Sequence, residues 1–112
     1  MKSTRNIYAI LAIVAIATIA WSSSAPAKAA KCQLTVNGRT YIDAICNFRP
    51  LGKGSFQISS RGYFAEVDVN GDGTAEGYWN ADRGSNHAHT PLGTLIRNDA
   101  CWVNSQVIVC AK

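Results

Sequence analysis

The sequence predicts a small all-β domain, an antiparallel meander of about seven short strands that forms either a barrel or a sandwich. Segments with alternating apolar and polar residues recur along residues 33–110, and turns containing Gly or Asn separate them. No ten-residue window in that region has the apolar stripe of a helix. All four cysteines lie within residues 32–110, as expected of a small domain that disulfides hold together.

The N-terminal segment has the pattern of a secretory signal peptide. A basic start precedes an almost wholly apolar run at 7–21, and small residues follow it. Cleavage is expected after Ala27, or as late as Ala30. A retained membrane anchor is the alternative, but the run is shorter than the roughly 20 apolar residues that a spanning helix needs. The predicted organisation is therefore a signal peptide at 1–27 and a single domain at 28–112.

The net charge and the number of cysteines limit which cell compartment and which kinds of partner are expected. The chain has 11 Lys and Arg against 7 Asp and Glu. Loss of Lys2 and Arg5 with the leader leaves nine basic and seven acidic side chains, a net charge of +2. The basic residues are scattered rather than clustered with aromatic residues, so nucleic acid is not an expected partner. An even cysteine count in a short exported chain indicates disulfides in an oxidising compartment. We expect a periplasmic or secreted protein that does not insert into the membrane after cleavage.

The first strand pair is the clearest local prediction. Residues 33–36 and 39–42, on either side of Asn37-Gly38, have the alternation of polar and apolar side chains that is typical of strands. Asn-Gly favours a tight hairpin turn, because both central residues of that turn need positive φ. The second strand is expected to continue to Cys46, and the residues at 49–54, which include a proline and two glycines, are expected to form a loop.

The following segments continue the meander. In residues 55–59 and 63–69 the side chains alternate between the two faces of a strand, in the pattern of a strand with one buried face. A turn at 70–73 leads into a strand at 74–80, and the polar, irregular residues 81–90 form the longest predicted loop. The remaining predicted strands lie at 92–97, 100–103 and 107–110.

The strand pattern favours one pairing of the cysteines. In a closing hairpin Cys101 lies directly across from Cys110, which is close enough for a disulfide. Cys32 and Cys46 would then close the first hairpin. If the register from the Asn-Gly turn is regular, these two cysteines are misaligned by a few residues. A β-bulge, or the point where the chain leaves the strand, must then compensate for the difference. Four cysteines allow three pairings, and this one is preferred.

The sharpest motif is the segment at 68–76, Asp-Val-Asn-Gly-Asp-Gly-Thr-Ala-Glu. Calcium takes roughly six to eight oxygen ligands, which a tight loop with ligands at alternating positions supplies. The segment resembles the calcium-binding hairpins of integrin-type repeats, which usually carry Asp where this chain has Glu76. That resemblance covers nine residues and implies a bound Ca²⁺ that fixes a hairpin. The same residues also suit a turn for backbone reasons alone, so both interpretations stay open. The implied ligands are Asp68, Asn70, Asp72, Thr74 and Glu76.

Two histidines form a second candidate site. Alternation places His87 and His89 on one side of an extended segment, where they could share a metal ion. Asp82 is the nearest candidate for a third ligand. An exposed polar loop before Thr90-Pro91 explains the histidines equally well.

Aromatic residues supply the remaining candidate for ligand contact. Most of them are expected to fill the core, because large side chains provide the burial that a small domain lacks. Trp79 and Asn80, at the mouth of the loop at 81–90, are the preferred exposed contacts, together with His87 and His89.

Three functions are compatible with these features. The leading hypothesis is an exported, non-catalytic binding module that recognises a protein or an envelope polysaccharide, as an inhibitor or a ligand-recognition domain does. The alternatives are a calcium-stabilised structural or adhesion module and a small secreted hydrolase that uses Glu66, Asp68, His87 or His89. Catalysis is not expected, since the chain has no Gly-x-Ser-x-Gly motif and its cysteines are expected to be oxidised.

Overall fold

A computed structural model describes residues 27–112, so the predicted signal peptide lies outside the described residues except for Ala27. Eight antiparallel strands follow one another in a meander, and the first also pairs with the last to close a barrel. The all-β prediction is confirmed, as a barrel rather than a sandwich. The strands are β1 (Lys28–Val36), β2 (Arg39–Gly52), β3 (Ser55–Ser60), β4 (Tyr63–Val69), β5 (Thr74–Trp79), β6 (Thr90–Asn98), β7 (Cys101–Val103) and β8 (Val107–Ala111).

Among residues 27–112 there is no helix that is long and apolar enough to span a membrane. A single hydrophobic core fills the barrel, built from alternate residues of the strands because successive side chains point to opposite faces. The alternation predicted at 55–59 is confirmed, since Phe56 and Ile58, two residues apart in β3, are both buried. The largest fully buried side chains are Leu34, Ile58, Leu95, Val67, Val109 and Cys32.

Three connections are two-residue turns with positive φ at both central residues, which matches the twist of the strands they join. The Asn-Gly prediction is therefore confirmed. The other two turns place Lys53 and Arg61 at φ values of 54° and 55°, a conformation that Asn or Gly adopts more readily than a long side chain does. The three turns are Asn37-Gly38, Lys53-Gly54 and Arg61-Gly62.

The loop predicted at 49–54 is wrong, because β2 continues to Gly52. Pro50 lies within the strand opposite Phe56, and the register shifts between Pro50 and Gly52. Proline has no N–H to donate, so within a sheet it is tolerated where a bulge interrupts the ladder. Only Lys53 and Gly54 remain as the turn.

Both preferred disulfides form. Cys101 lies directly opposite Cys110 in the closing hairpin, with a Cα–Cα distance of 4.0 Å. Trp102 and Val109, the next pair in register, are buried in the core. Since neighbouring residues of a strand point to opposite faces, this disulfide lies on the outer wall of the barrel.

The Cys32–Cys46 disulfide depends on a β-bulge. A regular register from the first turn would set Cys32 opposite Asp43, and Cys46, three residues further along, would then point to the other face. A register shift after Leu34 adds one residue to β2, so Cys32 lies opposite Ala44. Cys32 and Cys46 therefore both point into the barrel as diagonal neighbours, with a Cα–Cα distance of 5.8 Å.

The alternating strand directions divide the connections between the two ends of the barrel. We call the end at which β1, β3, β5 and β7 finish the loop end. It carries the turns at 37–38 and 61–62, the long segment at 80–89 and the turn at 104–106. Two of these connections touch, since the Asn37 N–H donates to the Gln106 carbonyl at 2.8 Å. The opposite end carries the turns at 53–54, 70–73 and 99–100.

Candidate functional site

Asn80 anchors the long segment at 80–89. Its side chain is buried, and its Nδ2 group donates to the carbonyls of Gly62, Asp82 and Ser85 at 2.9, 3.0 and 3.2 Å. Its Oδ1 accepts the N–H of Phe64 at 3.1 Å. These bonds tie the long segment to the turn between β3 and β4. Asn80 therefore positions the loop end, and its own side chain is not presented to solvent.

Trp79 also lies in the interior, with 6% of its surface exposed. Its ring packs against two tyrosines, with centroid distances of 4.6 Å to Tyr41 and 6.2 Å to Tyr63. Trp79 thus forms the floor beneath these tyrosines, and the surface available to a ligand lies on the residues around it.

Two arginines lie against the two tyrosines at the loop end. The rings of Tyr41 and Tyr63 meet edge to face, with centroids 5.1 Å apart. The guanidinium carbon of Arg39 lies 6.0 Å from the Tyr41 centroid, and that of Arg83 lies 5.2 Å from the Tyr63 centroid. We call these four residues the Arg–Tyr stack. Each cation is attracted to the electron-rich face of its ring, which holds an otherwise flexible side chain in place.

Two shallow clefts border the Arg–Tyr stack. One, of about 220 Å³, is lined by Tyr41, Asp43 and Arg61 among others. The other, of about 310 Å³, is lined by Arg61, Tyr63 and part of the segment at 84–86. Ser60 and Arg61 line both clefts, so the start of the turn at 61–62 lies between them.

Gly62 allows Arg83 to approach the turn at 61–62. A Cβ at Gly62 would lie 2.7 Å from Cγ of Arg83, and the φ of Gly62 is +88°. The absence of a side chain therefore lets the stem of Arg83 cross the turn on its way to Tyr63. The N–H of Gly84, the next residue along, donates to the Gly62 carbonyl at 2.8 Å, which fixes the same contact through the backbone.

Charged side chains lie at both ends of the barrel, and six of the nine basic residues of 28–112 lie away from the loop end. At the loop end, Arg39, Arg61 and Arg83 lie in or next to the connections, and Asp82 is the one carboxylate within the connections themselves. The other carboxylates belong to the strands or to the connections of the opposite end. They are Asp43, Glu66, Asp68, Asp72, Glu76 and Asp99.

His87 and His89 lie exposed in the same long segment. Their imidazole rings stack, with centroids 4.8 Å apart and planes inclined by 19°. Within residues 27–112, no three or more His, Cys, Asp and Glu side chains form a group that could hold a metal ion. A metal ion shared by His87 and His89 therefore stays a prediction.

The segment at 68–76 closes the β4–β5 hairpin through its own hydrogen bonds. Asp72 Oδ1 accepts the backbone N–H and the hydroxyl of Thr74 at 3.0 and 2.6 Å, and Asn70 Nδ2 donates to that hydroxyl at 2.9 Å. The bonds from Thr74 lower the pKa of the Asp72 carboxyl. Glu76 accepts the hydroxyl of Thr94 at 2.9 Å. These residues form a turn with contacts of their own, and calcium binding stays a prediction.

Glu66 and Asp68, the carboxylates of the hydrolase hypothesis, lie on the outer wall of β4. Glu66 lies between Gln57 and Tyr78 of the neighbouring strands. Partial burial raises the pKa of Glu66, and hydrogen bonding with Asp68 and the charge of Asp68 raise it further, against the opposing charge of Arg49. The pair is thus a site of mild repulsion on the barrel wall.

We expect Glu66→Gln to raise the melting temperature at pH 7. Because the pKa of Glu66 is higher in the folded state, ionisation of Glu66 destabilises the fold at any pH above that pKa. This penalty disappears once both states are protonated, below the pKa of the unfolded chain. The side chain is partly exposed, so solvent screening limits the gain to less than about 1 kcal/mol.

Thermal unfolding at pH 7 and pH 3 measures this gain. Asp43→Asn is the matched control, since Asp43 is exposed and lies opposite the neutral Gln33. An equal gain at both pH values, or the same gain for Asp43→Asn, would contradict the repulsion between Glu66 and Asp68.

The residues of the Arg–Tyr stack come from three segments that are distant in the chain, and the sequence analysis did not single them out. A signal was nevertheless present. Arg39, Arg61 and Arg83 lie in or beside the first, third and fifth connections. Every second connection of an antiparallel meander falls at the same end of the sheet, so the fold brings these three arginines to one end.

Comparison with known proteins gives no match, whether to a protein-family model, to a curated protein or to a solved structure. The function of this protein is therefore inferred from the geometry and charge of the loop end.

Proposed function

We propose that this protein is an exported, non-catalytic binding module that recognises an envelope polysaccharide at its loop end. The observation that carries the proposal is the Arg–Tyr stack. It places two guanidinium groups against half-buried tyrosine rings, which pack on the buried Trp79. A guanidinium has five N–H donors in its own plane, and a group that lies against a ring still offers those donors to the oxygens of a ligand.

The shape of the loop end favours an extended ligand. The two clefts beside the Arg–Tyr stack have volumes of about 220 and 310 Å³, at or below the lower end of the range for sites that enclose small molecules. A third cleft at the loop end, of about 480 Å³, is lined by the turns at 37–38 and 104–106. Arg61 lines both of the clefts beside the stack. A chain of sugars could cross Arg61 and occupy both clefts, whereas one small molecule would fill neither deeply.

The location of the exposed apolar side chains favours a polysaccharide over a protein. The core of a protein interface is more apolar than its rim. The exposed large hydrophobic residues of the described chain lie on the barrel wall or towards the opposite end. They are Ile45, Leu51 and Ile96.

Export is supported by the two disulfides, which form in oxidising compartments outside the cytoplasm. We propose that the mature chain begins at Lys28. β1 begins at this residue, and Lys28, Ala29 and Ala30 pair with β2. Cleavage after Ala27 keeps that pairing, whereas cleavage after Ala30 removes it. The mature protein is then periplasmic or secreted.

Retention on immobilised polysaccharides tests the proposed function. Residues 28–112 with both disulfides formed are passed over a panel of neutral and acidic bacterial polysaccharides. We expect retention on at least one of them, and loss of retention for Arg83→Ala. Arg97→Ala is the matched control, because Arg97 lies against Trp102 at 5.6 Å on the opposite end. Failure of every polysaccharide, or an equal loss for Arg97→Ala, would contradict the proposal.

A further inference from the structure

We infer that the loop end is built for an acidic polysaccharide, one whose sugars carry carboxylates, and that Arg61 is a specificity-determining residue for them. This inference rests on the proposed function and adds the chemical class of the ligand. Two observations support it: the charge at the loop end and the arrangement of its arginines. The backbone conformation of Arg61 then makes asparagine a suitable replacement for the test.

The charge at the loop end favours an anion. Arg39, Arg61 and Arg83 lie in or next to the connections of that end, whose one carboxylate is Asp82, and Asp43 lines one of the two clefts. Three arginines against these two carboxylates leave a net charge of +1 beside the Arg–Tyr stack. Such a surface attracts an anionic chain and repels a cationic one.

The arrangement of the arginines favours carboxylates in particular. The planar fork of a guanidinium matches the two oxygens of a carboxylate, and the resulting pair of charge-assisted hydrogen bonds is stronger than bonds to neutral hydroxyls. Arg39 and Arg83 occupy the two sides of the Arg–Tyr stack, and Arg61 lines both clefts. Successive charged sugars along a chain could therefore meet successive arginines.

The conformation of Arg61 is less favourable than the turn requires. Its φ is 55°, in the left-handed region that Asn or Gly adopts with less strain. The equivalent turn at the same end has Asn37 in that position, with a φ of 53°. Lys53 adopts the same conformation at the opposite end, so the conformation shows only that the turn does not require arginine. The position of Arg61 beside both clefts is what distinguishes it.

Lys53 provides a matched comparison. It occupies the same position in the turn at the opposite end, with a φ of 54°. Replacing either residue with asparagine relieves the same strain and removes the same charge. Only Arg61 lies beside the Arg–Tyr stack, so only Arg61→Asn is expected to affect binding.

Calorimetric titration with tetragalacturonate and with its fully methyl-esterified form tests the inference, because the two probes share one sugar backbone and differ in charge. We expect the acid to bind at least about tenfold more tightly than the ester, the ratio expected from one lost charge-assisted hydrogen bond. Arg61→Asn is expected to lower the affinity for the acid by a similar factor while its melting temperature is not reduced. Lys53→Asn is expected to keep the affinity of the wild type.

Each other outcome is decisive. Equal affinity for acid and ester overturns the acidic ligand but leaves the polysaccharide proposal standing. No binding of either probe overturns the acidic ligand, and the immobilised panel separately decides the proposed function. Wild-type affinity in Arg61→Asn overturns the role of Arg61. Binding of poly-glutamate as tight as that of tetragalacturonate would show recognition of charge without the sugar and would also overturn the inference.

Discussion

Replacing Cys32 and Cys46 together with alanine is expected to lower the free energy of unfolding by about 3–5 kcal/mol. The disulfide restricts the unfolded chain across a separation of 14 residues. Its sulfur atoms are also part of the core, because both cysteines are buried. Their loss therefore leaves a cavity inside the barrel in addition to releasing the unfolded chain.

The second disulfide provides the comparison. Cys101 and Cys110 are separated by only 9 residues and lie on the outer wall. Cys110 is buried there, but neither cysteine belongs to the core cluster inside the barrel. Replacing this pair with alanine restricts the unfolded chain less and opens no cavity in the core, so we expect a smaller loss. Urea unfolding of both variants under non-reducing conditions measures the two effects. An equal or larger loss from the outer pair would contradict the structural role of the inner one.

Asn80→Asp is expected to lower the free energy of unfolding by about 2–4 kcal/mol, because buried polar groups lose their donor. The substitution changes the shape of the side chain little and keeps the oxygen that accepts the Phe64 N–H. The carbonyls of Gly62, Asp82 and Ser85 would instead face a buried carboxylate that has no N–H to donate.

Asn86→Asp is the matched control for this substitution, since Asn86 is exposed in the same segment. We expect it to change stability by less than about 0.5 kcal/mol. Hydrogen exchange at the amide of Gly84, which bonds the Gly62 carbonyl, should accelerate only in Asn80→Asp. Unchanged exchange at Gly84 would show that Asn80 does not anchor the segment. Ligand binding should fall with the loss of this anchor, because Arg83 lies in the segment that is released.

Much of the fold could be predicted from local patterns. A strict alternation of side chains specifies which face of a strand is buried, and the turn at Asn37-Gly38 fixes where the first two strands meet. The closing hairpin follows directly, since its register places Cys101 opposite Cys110. These features depend on a few neighbouring residues, and so they can be read without knowledge of the rest of the chain.

The irregular features could not be predicted in the same way. The bulge after Leu34 leaves no mark in the local alternation, although the pairing of Cys32 with Cys46 requires it. Pro50 and two nearby glycines predict a loop, yet pairing with β3 extends β2 through Pro50 to Gly52. In both cases the pairing with the neighbouring strand decides the outcome over local preference.

The alternation along β5 was enough to predict the interior location of Trp79. No local pattern predicts the Arg–Tyr stack. Along β5 the polar or mixed residues Thr74, Glu76 and Tyr78 alternate with Ala75, Gly77 and Trp79, and this parity places Trp79 with the buried set. The stack instead joins side chains from β2, β4 and the segment at 80–89. Only the closed meander brings those segments to one end.

The location of the ligand is tested most directly by NMR. Residues 28–112, labelled with ¹⁵N, are titrated with tetragalacturonate, and the shift of each backbone amide is followed. We expect the largest shifts at 39–41, 61–63 and 80–89, which form the loop end. Largest shifts in the turn at 70–73, or on the outer wall of β6 to β8, would contradict recognition by the Arg–Tyr stack.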